Sequence, residues 1–280
     1  MLALLKRNFL LYFRNRSGVF FSLLGALISF VLYIIFLQKN LTDAWAQLPN
    51  SGPVLNNWLM SGTLAVTGIT TSLAALTQLV KDRERQVDQD LYLSDQGKWR
   101  LPFSYLTSAI IISFFMQALM YVLMCGYFRE VPALSLLPEV LPIMLLSSLL
   151  SSLVNAIFVY FFHSVDSLGK FSTIVGTASG FLVGTYVPLG VLPDFAQLLM
   201  KCTPATYIAA LYRQVLMKEA LNETFKGQDN LLQEFQEKMG VQLKWQALLT
   251  KEQTYLIVLG GILLALGIWV SLAKRSNKRK

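Results

Sequence analysis

Between Val80 and Arg100 the chain reads "VKDRERQVDQDLYLSDQGKWR". Five bases (Lys81, Arg83, Arg85, Lys98, Arg100) and five acids (Asp82, Glu84, Asp88, Asp90, Asp95) share this stretch, with apolar sequence on both sides. Interleaved charges of both signs suit reversible, selective pairing with another protein. Leu91, Tyr92, Leu93 and Trp99 would supply the apolar anchors that such contacts use. A plain topology signal would need only the cations, so the five acids favour a docking surface.

Other reactive groups are sparse. His163 is the only histidine, and with Asp166 it falls in the short segment "HSVDSLGK". No cluster of Cys, His or carboxylate has the spacing of a metal or catalytic site around it. Cys125 and Cys202 also lack metal spacing. They read as two small apolar residues, with a disulfide open because both fall towards one side. A membrane enzyme would need a buried acid, base or nucleophile pair, and none is visible.

These residues need a scaffold, and the composition names its class. The chain of 280 residues is 54% hydrophobic and 14% charged, where soluble domains carry about 25% charged residues. The charges are clustered and long stretches have none, which indicates an all-α integral membrane protein. Six apolar segments reach spanning length, at 19–37, 58–80, 102–127, 136–162, 171–192 and 255–272. Pro138 and Pro142 fit a first helical turn better than an interior. Fifteen of the 24 Lys and Arg fall in segments that are internal if the N-terminus is inside, and only Lys39 and Arg129 fall in the two short outer loops. The expectation is six transmembrane helices with both termini cytoplasmic. The net charge of +8 is thus topogenic, and no nucleic-acid partner is expected. "AWA" at 44–46 resembles a signal cleavage site, but the apolar stretch before it is longer than a signal peptide needs.

The organisation follows. Residues 1–18 mix Leu2, Leu5, Phe9, Tyr12 and Phe13 with Lys6, Arg7, Arg14 and Arg16, which suits an interfacial amphipathic helix. Residues 19–192 hold five spans and the charged loop 81–101. Residues 193–254 form an external part, 255–272 the sixth span and 273–280 a basic tail. No span has a charge in its middle, and Glu139 sits at the outer mouth of the fourth. Ion-coupled transporters carry such charges, so the energy for any pumping would come from elsewhere. Thr63, Thr67, Thr70, Thr71, Thr77 and Gln78 stripe the second span, and Ser147, Ser148, Ser151, Ser152 and Asn155 the fourth. These hydroxyls could line a route or bond helix to helix. Gly176, Gly180 and Gly184 recur every four residues in the fifth span, a small-residue row that would admit a neighbouring helix.

After the fifth span, Pro188, Pro193 and Pro204 leave only short helical pieces, which suits re-entrant half-helices. Then "LLQEFQEKMG" puts Leu231, Leu232, Phe235 and Met239 on one helical face with Gly240 as the stop, a small external cap.

The order of these parts resembles the type-2 ABC transporter permeases. The resemblance covers nearly the whole chain. It rests on "LLKRNFLLYFRNRSGVFFSLL", on "DRE" at 82–84, and on "VPLGVLPDFAQLLMKCTPATYIAALYR". The last supplies the family's Pro, second Pro, Pro-aromatic step and Arg, here Pro188, Pro193, Pro204 with Tyr207, and Arg213. The chain departs from the pattern in the inner loop, where Arg85–Gln86–Val87 follows Glu84 and Asp95 follows Ser94, and in a longer external insert. The resemblance implies a bacterial cytoplasmic-membrane exporter of amphipathic substrates: drugs, antimicrobial peptides or lipid-linked molecules. It also implies a second permease copy and a separate ATP-binding subunit. No phosphate-cradling Gly-x-x-x-x-Gly-Lys-Ser/Thr loop occurs in this chain. ATP and Mg would then sit on the partner, with no cofactor here. Coupling to that partner would fall to Asp82, Arg83, Glu84, Arg85, Asp88, Leu91 and Tyr92. A substrate path would use Thr63, Thr67, Thr70, Ser148, Ser151 and Asn155. The alternative is a non-transporting sensor or immunity protein whose external cap binds a peptide.

Overall fold

The computed structural model describes residues 1–45, 51–93, 97–129 and 135–279. Among these, every regular element is a helix, apart from an isolated bridge between Lys244 and Leu248. The order is α1 (Leu2–Arg14), α2 (Arg16–Leu32), a π turn (Tyr33–Leu37), α3 (Gln38–Ala44), α4 (Ser51–Glu84), α5 (Val87–Leu93) and α6 (Gly97–Phe128). There follow α7 (Leu137–Val159), α8 (Val165–Leu182), α9 (Asp194–Lys201), α10 (Pro204–Leu216), α11 (Lys218–Thr224), α12 (Asp229–Lys238) and α13 (Lys251–Arg279). Among the described residues, five helices are long and apolar enough to cross a membrane: Arg16–Asp43, Gly52–Glu84, Trp99–Phe128, Leu137–Val159 and Lys251–Arg275.

The first helix breaks at Asn15, whose side chain accepts from the Gly18 amide at 3.2 Å and so caps α2. Leu4 and Asn8 are the buried residues of α1, while Leu2, Lys6, Leu10, Leu11, Phe13 and Arg14 are exposed.

The bundle is built around α4, which packs against α2, α6, α7, α8 and α10. In its spanning stretch 78% of residues are buried, against 22% in α13 at the periphery. Most hydroxyls of a helix so enclosed find an acceptor, the buried Thr63 hydroxyl being an exception. Thr67 donates to the Thr63 carbonyl at 2.8 Å and Ser72 to the Gly68 carbonyl at 2.7 Å, so these residues satisfy themselves within the helix.

The two ends of the bundle differ. At one, here the basic end, α1, the C-terminus of α4, the turn after α7 and the C-terminal half of α13 come together. Phe103 of α6 meets Trp269 of α13 edge to face, with centroids 5.0 Å apart. At the other, the capped end, α9 to α12 cover the bundle, and Lys251 of α13 reaches Glu139 of α7 at 2.9 Å. Apolar cores follow this division, one around Trp58, Tyr121 and Tyr212 and one around Leu73, Tyr105 and Trp269.

Several boundaries differ from the sequence reading. Most of the described part of 81–101 is helical rather than loop: α4 continues through Glu84, α5 spans Val87–Leu93 and α6 has started by Gly97. Charged side chains do not stop a helix, and what ends α4 is a left-handed residue, Gln86, at φ 59°. No glycine stands there to signal it. The apolar stretch at 171–192 is also shortened. Helix α8 runs Val165–Leu182 and stops in a Schellman turn, with Gly184 at φ 70°, its amide on the Phe181 carbonyl at 2.9 Å and the Thr185 amide on the Gly180 carbonyl at 2.8 Å. Pro138 lies in the first turn of α7, as expected, but Pro142 is inside that helix.

Candidate functional site

The charged residues expected to face a partner divide into two sets. Asp82 is 3% exposed and turned into the protein. Arg7 of α1 grips its carboxylate from both nitrogens, at 2.8 and 2.9 Å. Gln78 donates to it at 2.8 Å, and the Tyr105 hydroxyl of α6 donates a short hydrogen bond. A bidentate guanidinium pair with its remaining lone pairs satisfied is the arrangement that makes a buried charge tolerable. The hydrogen bond to Asp82 raises the Arg7 pKa further, so that cation stays charged at any physiological pH. Asn8, next to Arg7, accepts from it at 3.1 Å and lies 3.4 Å from Ser108 of α6. Helix α1 is thus fastened to α4 and α6 together.

Arg83 points the other way. Its Nη1 donates to the carbonyls of Tyr160 and Phe162, at 3.2 and 2.7 Å, in the turn after α7. Those carbonyls belong to the end of a helix, where a cation is favoured. Glu84 accepts from the Val165 amide at 3.3 Å, at the start of α8. Asp88, in the first turn of α5, is buried. Glu84 and Arg85 are exposed and Leu91 is half-buried. Of the expected anchors, Trp99 is 38% exposed. The side chain of Tyr92, and all of Ser94 and Asp95, lie outside the described residues, as does Ala46 of the "AWA" triplet. The basic end therefore combines an internal clasp (Arg7, Asp82, Arg83) with an exposed pair (Glu84, Arg85) beside it.

The polar stripes lie mainly inside the subunit. Thr63, Thr67 and Ser148 are fully buried, and Asn155 nearly so. Asn155 of α7 donates to the Ile69 carbonyl and the Ser72 hydroxyl of α4, at 2.9 and 2.8 Å. Gln117 of α6 donates to Ser148 at 2.8 Å and accepts from Tyr212 of α10 at 2.8 Å. Four helices are joined by these bonds. Thr70 lines an open groove on one flank of α8, and Ser151 and Asn155 line one on the other. Sequence reading missed Gln117 and Tyr212, because one amide and one phenol in long apolar helices show no periodicity.

The glycine row is not one packing face. Gly184 lies beyond the helix and ends it. Gly180 lies under the ring of Tyr186, which folds back on it. A side chain at Gly176 would meet open space, although its carbonyl oxygen approaches Gly25 of α2, where a Cβ would lie 3.1 Å away.

Arg213 organises the capped end. It is 1% exposed with no carboxylate partner, and three carbonyls take its charge: Gly240 at 3.1 Å, Val183 at 3.0 Å and Gly184 at 2.9 Å. Val183 and Gly184 end α8. Gly240, at φ 64°, ends α12 in a second Schellman turn, closed by the Val241 amide on the Gln236 carbonyl at 2.9 Å. One guanidinium thereby holds the negative ends of two helix dipoles. It also stacks 5.2 Å above the Trp58 ring of α4, whose indole N–H donates to the Met239 carbonyl at 2.8 Å. Burial pulls the Arg213 pKa down to about 9, still above neutral pH.

The prolines punctuate as the sequence indicated. Pro188 precedes a short 3-10 turn (Leu189–Val191), Pro193 precedes α9 and Pro204 opens α10. The Tyr207 hydroxyl accepts from the Trp245 indole at 3.1 Å. In α12, Phe235 is buried, Leu231 and Leu232 half-buried, and Met239 buried just after the helix. Cys125 and Cys202 are not bonded to each other; Cys125 is half-buried and Cys202 exposed.

The described residues thus form an all-helical protein with five helices long and apolar enough to cross a membrane and a charge cluster at one end of the bundle. The family described as ABC-2 type transporter matches residues 1–217. The chain belongs to that family, and is the permease component of an ABC transporter. Membership implies an ATP-binding partner. No curated protein and no solved structure shows detectable similarity to the chain.

Proposed function

We propose that this permease exports an amphipathic substrate from the cytoplasm, driven by a separate subunit that binds ATP and Mg. The substrate is a drug, an antimicrobial peptide or a lipid-linked molecule. The chain makes six crossings of a bacterial cytoplasmic membrane with both termini inside, and works beside a second permease copy, identical or closely related. The coupling residues are Glu84 and Arg85 at the surface, with Asp82, Arg83 and Asp88 behind them and Leu91 and Tyr92 on α5. Six crossings are supported by chain continuity. Arg83 holds the turn after α7 at the basic end, while Lys251 opens α13 beside Glu139 at the capped end. The chain must return between the two, and α8, at 18 residues and so about 27 Å, is the helix available. The cations at the basic end favour its being cytoplasmic. An amphipathic substrate is supported by charge-free span centres and by the open apolar grooves beside α8.

The observation that carries the docking role is the position of Glu84 and Arg85, exposed on the same turn of α4 whose Asp82 and Arg83 hold α1, α6 and the α7–α8 turn. Force applied there reaches four helices through direct bonds. Purification from native membranes in mild detergent tests this reading. An ATPase present in fixed ratio supports it. A chain that purifies intact and alone sinks it and favours a sensor or immunity protein instead.

A further inference from the structure

The cap holds a cavity of its own. It measures about 230 Å³ and lies among α10, α11, α12 and the first turn of α13, away from both grooves beside α8. Gln214, Lys218, Asn222, Gln236, Gln242 and Lys251 make its polar lining. The apolar part is Leu221 and Val241, both buried, and Leu232, half-buried. Helix periodicity gathers these groups. Lys218, Leu221 and Asn222 stand three and four residues apart on α11, and Leu232 and Gln236 four apart on α12, so each set shares a face. Glu219 and Glu223 of α11, and Glu234 and Glu237 of α12, fall outside the lining. All the lining residues but Gln214 lie after residue 217, where the family match ends. The cavity is thus built almost wholly outside the matched segment.

Charge, hydrogen bonding and size together define a ligand. Lys251 is paired with Glu139 at 2.9 Å, and Glu139 is near enough to act on Lys218 as well. Two ammoniums against one carboxylate leave one positive charge, the complement of a single carboxylate. A phosphate dianion would exceed it. Gln214 donates through Nε2 to the Val241 carbonyl at 3.0 Å, while its Oε1 is buried with no donor among the described residues. A ligand N–H is the partner that this oxygen lacks. Asn222, Gln236 and Gln242 each offer donors and an acceptor, as a peptide group does. The volume, that of about eight waters in the liquid, suits one end residue and not a length of chain.

We propose that this cavity binds the C-terminal residue of a peptide, with its carboxylate on Lys218, its amide N–H towards Gln214 and its side chain on Leu221, Leu232 and Val241. Capture of a terminal carboxylate is a recurring way of reading a peptide end. A free amino acid shares the carboxylate, but its ammonium would stand among the two lysines. The site does not rest on the export reading, whose substrate lies along α8, and binding here needs no ATPase.

The test is fluorescence anisotropy of the full chain, purified in mild detergent. The probes are a labelled pentapeptide ending in a free leucine carboxylate and the same peptide amidated at that end. Wild type is expected to bind the acid about tenfold more tightly, the effect of one charge-assisted hydrogen bond. Lys218→Gln, at an exposed position, should weaken binding of the acid about fivefold and leave the amide unchanged. Asn222→Trp, also exposed, fills the cavity and should remove binding of both. Lys226→Gln, exposed but outside the lining, should match wild type. Unlabelled N-acetyl-leucine should compete and free leucine should not. Equal affinity of wild type for acid and amide overturns the proposal, as does binding of neither, or wild-type affinity in Lys218→Gln or in Asn222→Trp. An equal loss in Lys226→Gln also overturns it, since the acid would then follow only the general charge of the cap. Competition by free leucine at the strength of N-acetyl-leucine replaces the peptide by an amino acid.

Discussion

Two guanidiniums, one half-buried and one buried, stand at opposite ends of this bundle, and they are held in different ways. Arg7 meets a carboxylate, keeps 29% of its side chain exposed and joins α1 to α4 and α6 by side-chain tips. Arg213 donates to backbone carbonyls beneath the Trp58 ring, is 1% exposed and joins helix ends to one another. A side-chain pair at a partly wet boundary can open and re-form, because water solvates both ions when they part. A cation set into two Schellman turns cannot leave without uncovering three carbonyls. The Arg7–Asp82 pair is thus the more readily opened of the two contacts, and the Arg213 clamp the more firmly held.

Removing Arg213 should have the largest effect on stability. Arg213→Leu leaves three buried carbonyls without their donor and is expected to cost about 4 kcal/mol. Loss of the monodisperse species on size-exclusion after heating would report it. Arg213→Lys keeps a charge but offers a compact point donor, and should recover about half of that loss. A fully stable Arg213→Leu would show that the capped end does not depend on this clamp.

Asp82→Ala strands Arg7 at a half-open site and is expected to cost about 2 kcal/mol, less than Arg213→Leu because water reaches the remaining cation. A double-mutant cycle with Arg7→Ala should give a coupling of about 1–2 kcal/mol. A coupling near zero would mean that α1 is held by its apolar contacts alone.

The two left-handed helix ends sharpen the contrast on a smaller scale. Gly184→Ala forces a Cβ into φ 70° and should lose about 1–2 kcal/mol. Gln86 already sits at φ 59° with a Cβ, so Gln86→Gly should gain about 0.5 kcal/mol, strain relief being partly offset by glycine's greater backbone entropy. Thermal midpoints in one detergent would compare the two directly.

The sequence exposed more of the frame than of its fastenings. Span positions, the basic flanks, the proline-punctuated segment and the amphipathic face of α12 all come from periodicity and composition, which read locally. The Arg7–Asp82 pair spans 75 positions and the Arg213–Gly240 bond 27, so nothing local announces either. Asp82 was expected among the partner-facing charges for that reason: its neighbours suggest a surface, and only the fold brings Arg7 and Tyr105 to it. Gly184 misled in a related way. Its spacing from Gly176 and Gly180 suits helix packing, but Pro188 four residues on and the left-handed turn remove it from the helix. Arg213 was singled out by resemblance alone, and the geometry supplies its physical reason.

The most direct measurement is the amount of ATPase that co-purifies with wild type, with Asp82→Asn, and with a Glu84→Ala, Arg85→Ala double variant, each checked for an intact bundle by its thermal midpoint. A docking surface at the basic end requires that the double variant lose the ATPase while keeping its midpoint within about 1 kcal/mol of wild type, and that Asp82→Asn, altered only beneath that surface, retain it. An ATPase that stays with the double variant at the wild-type ratio would contradict the assignment of this face.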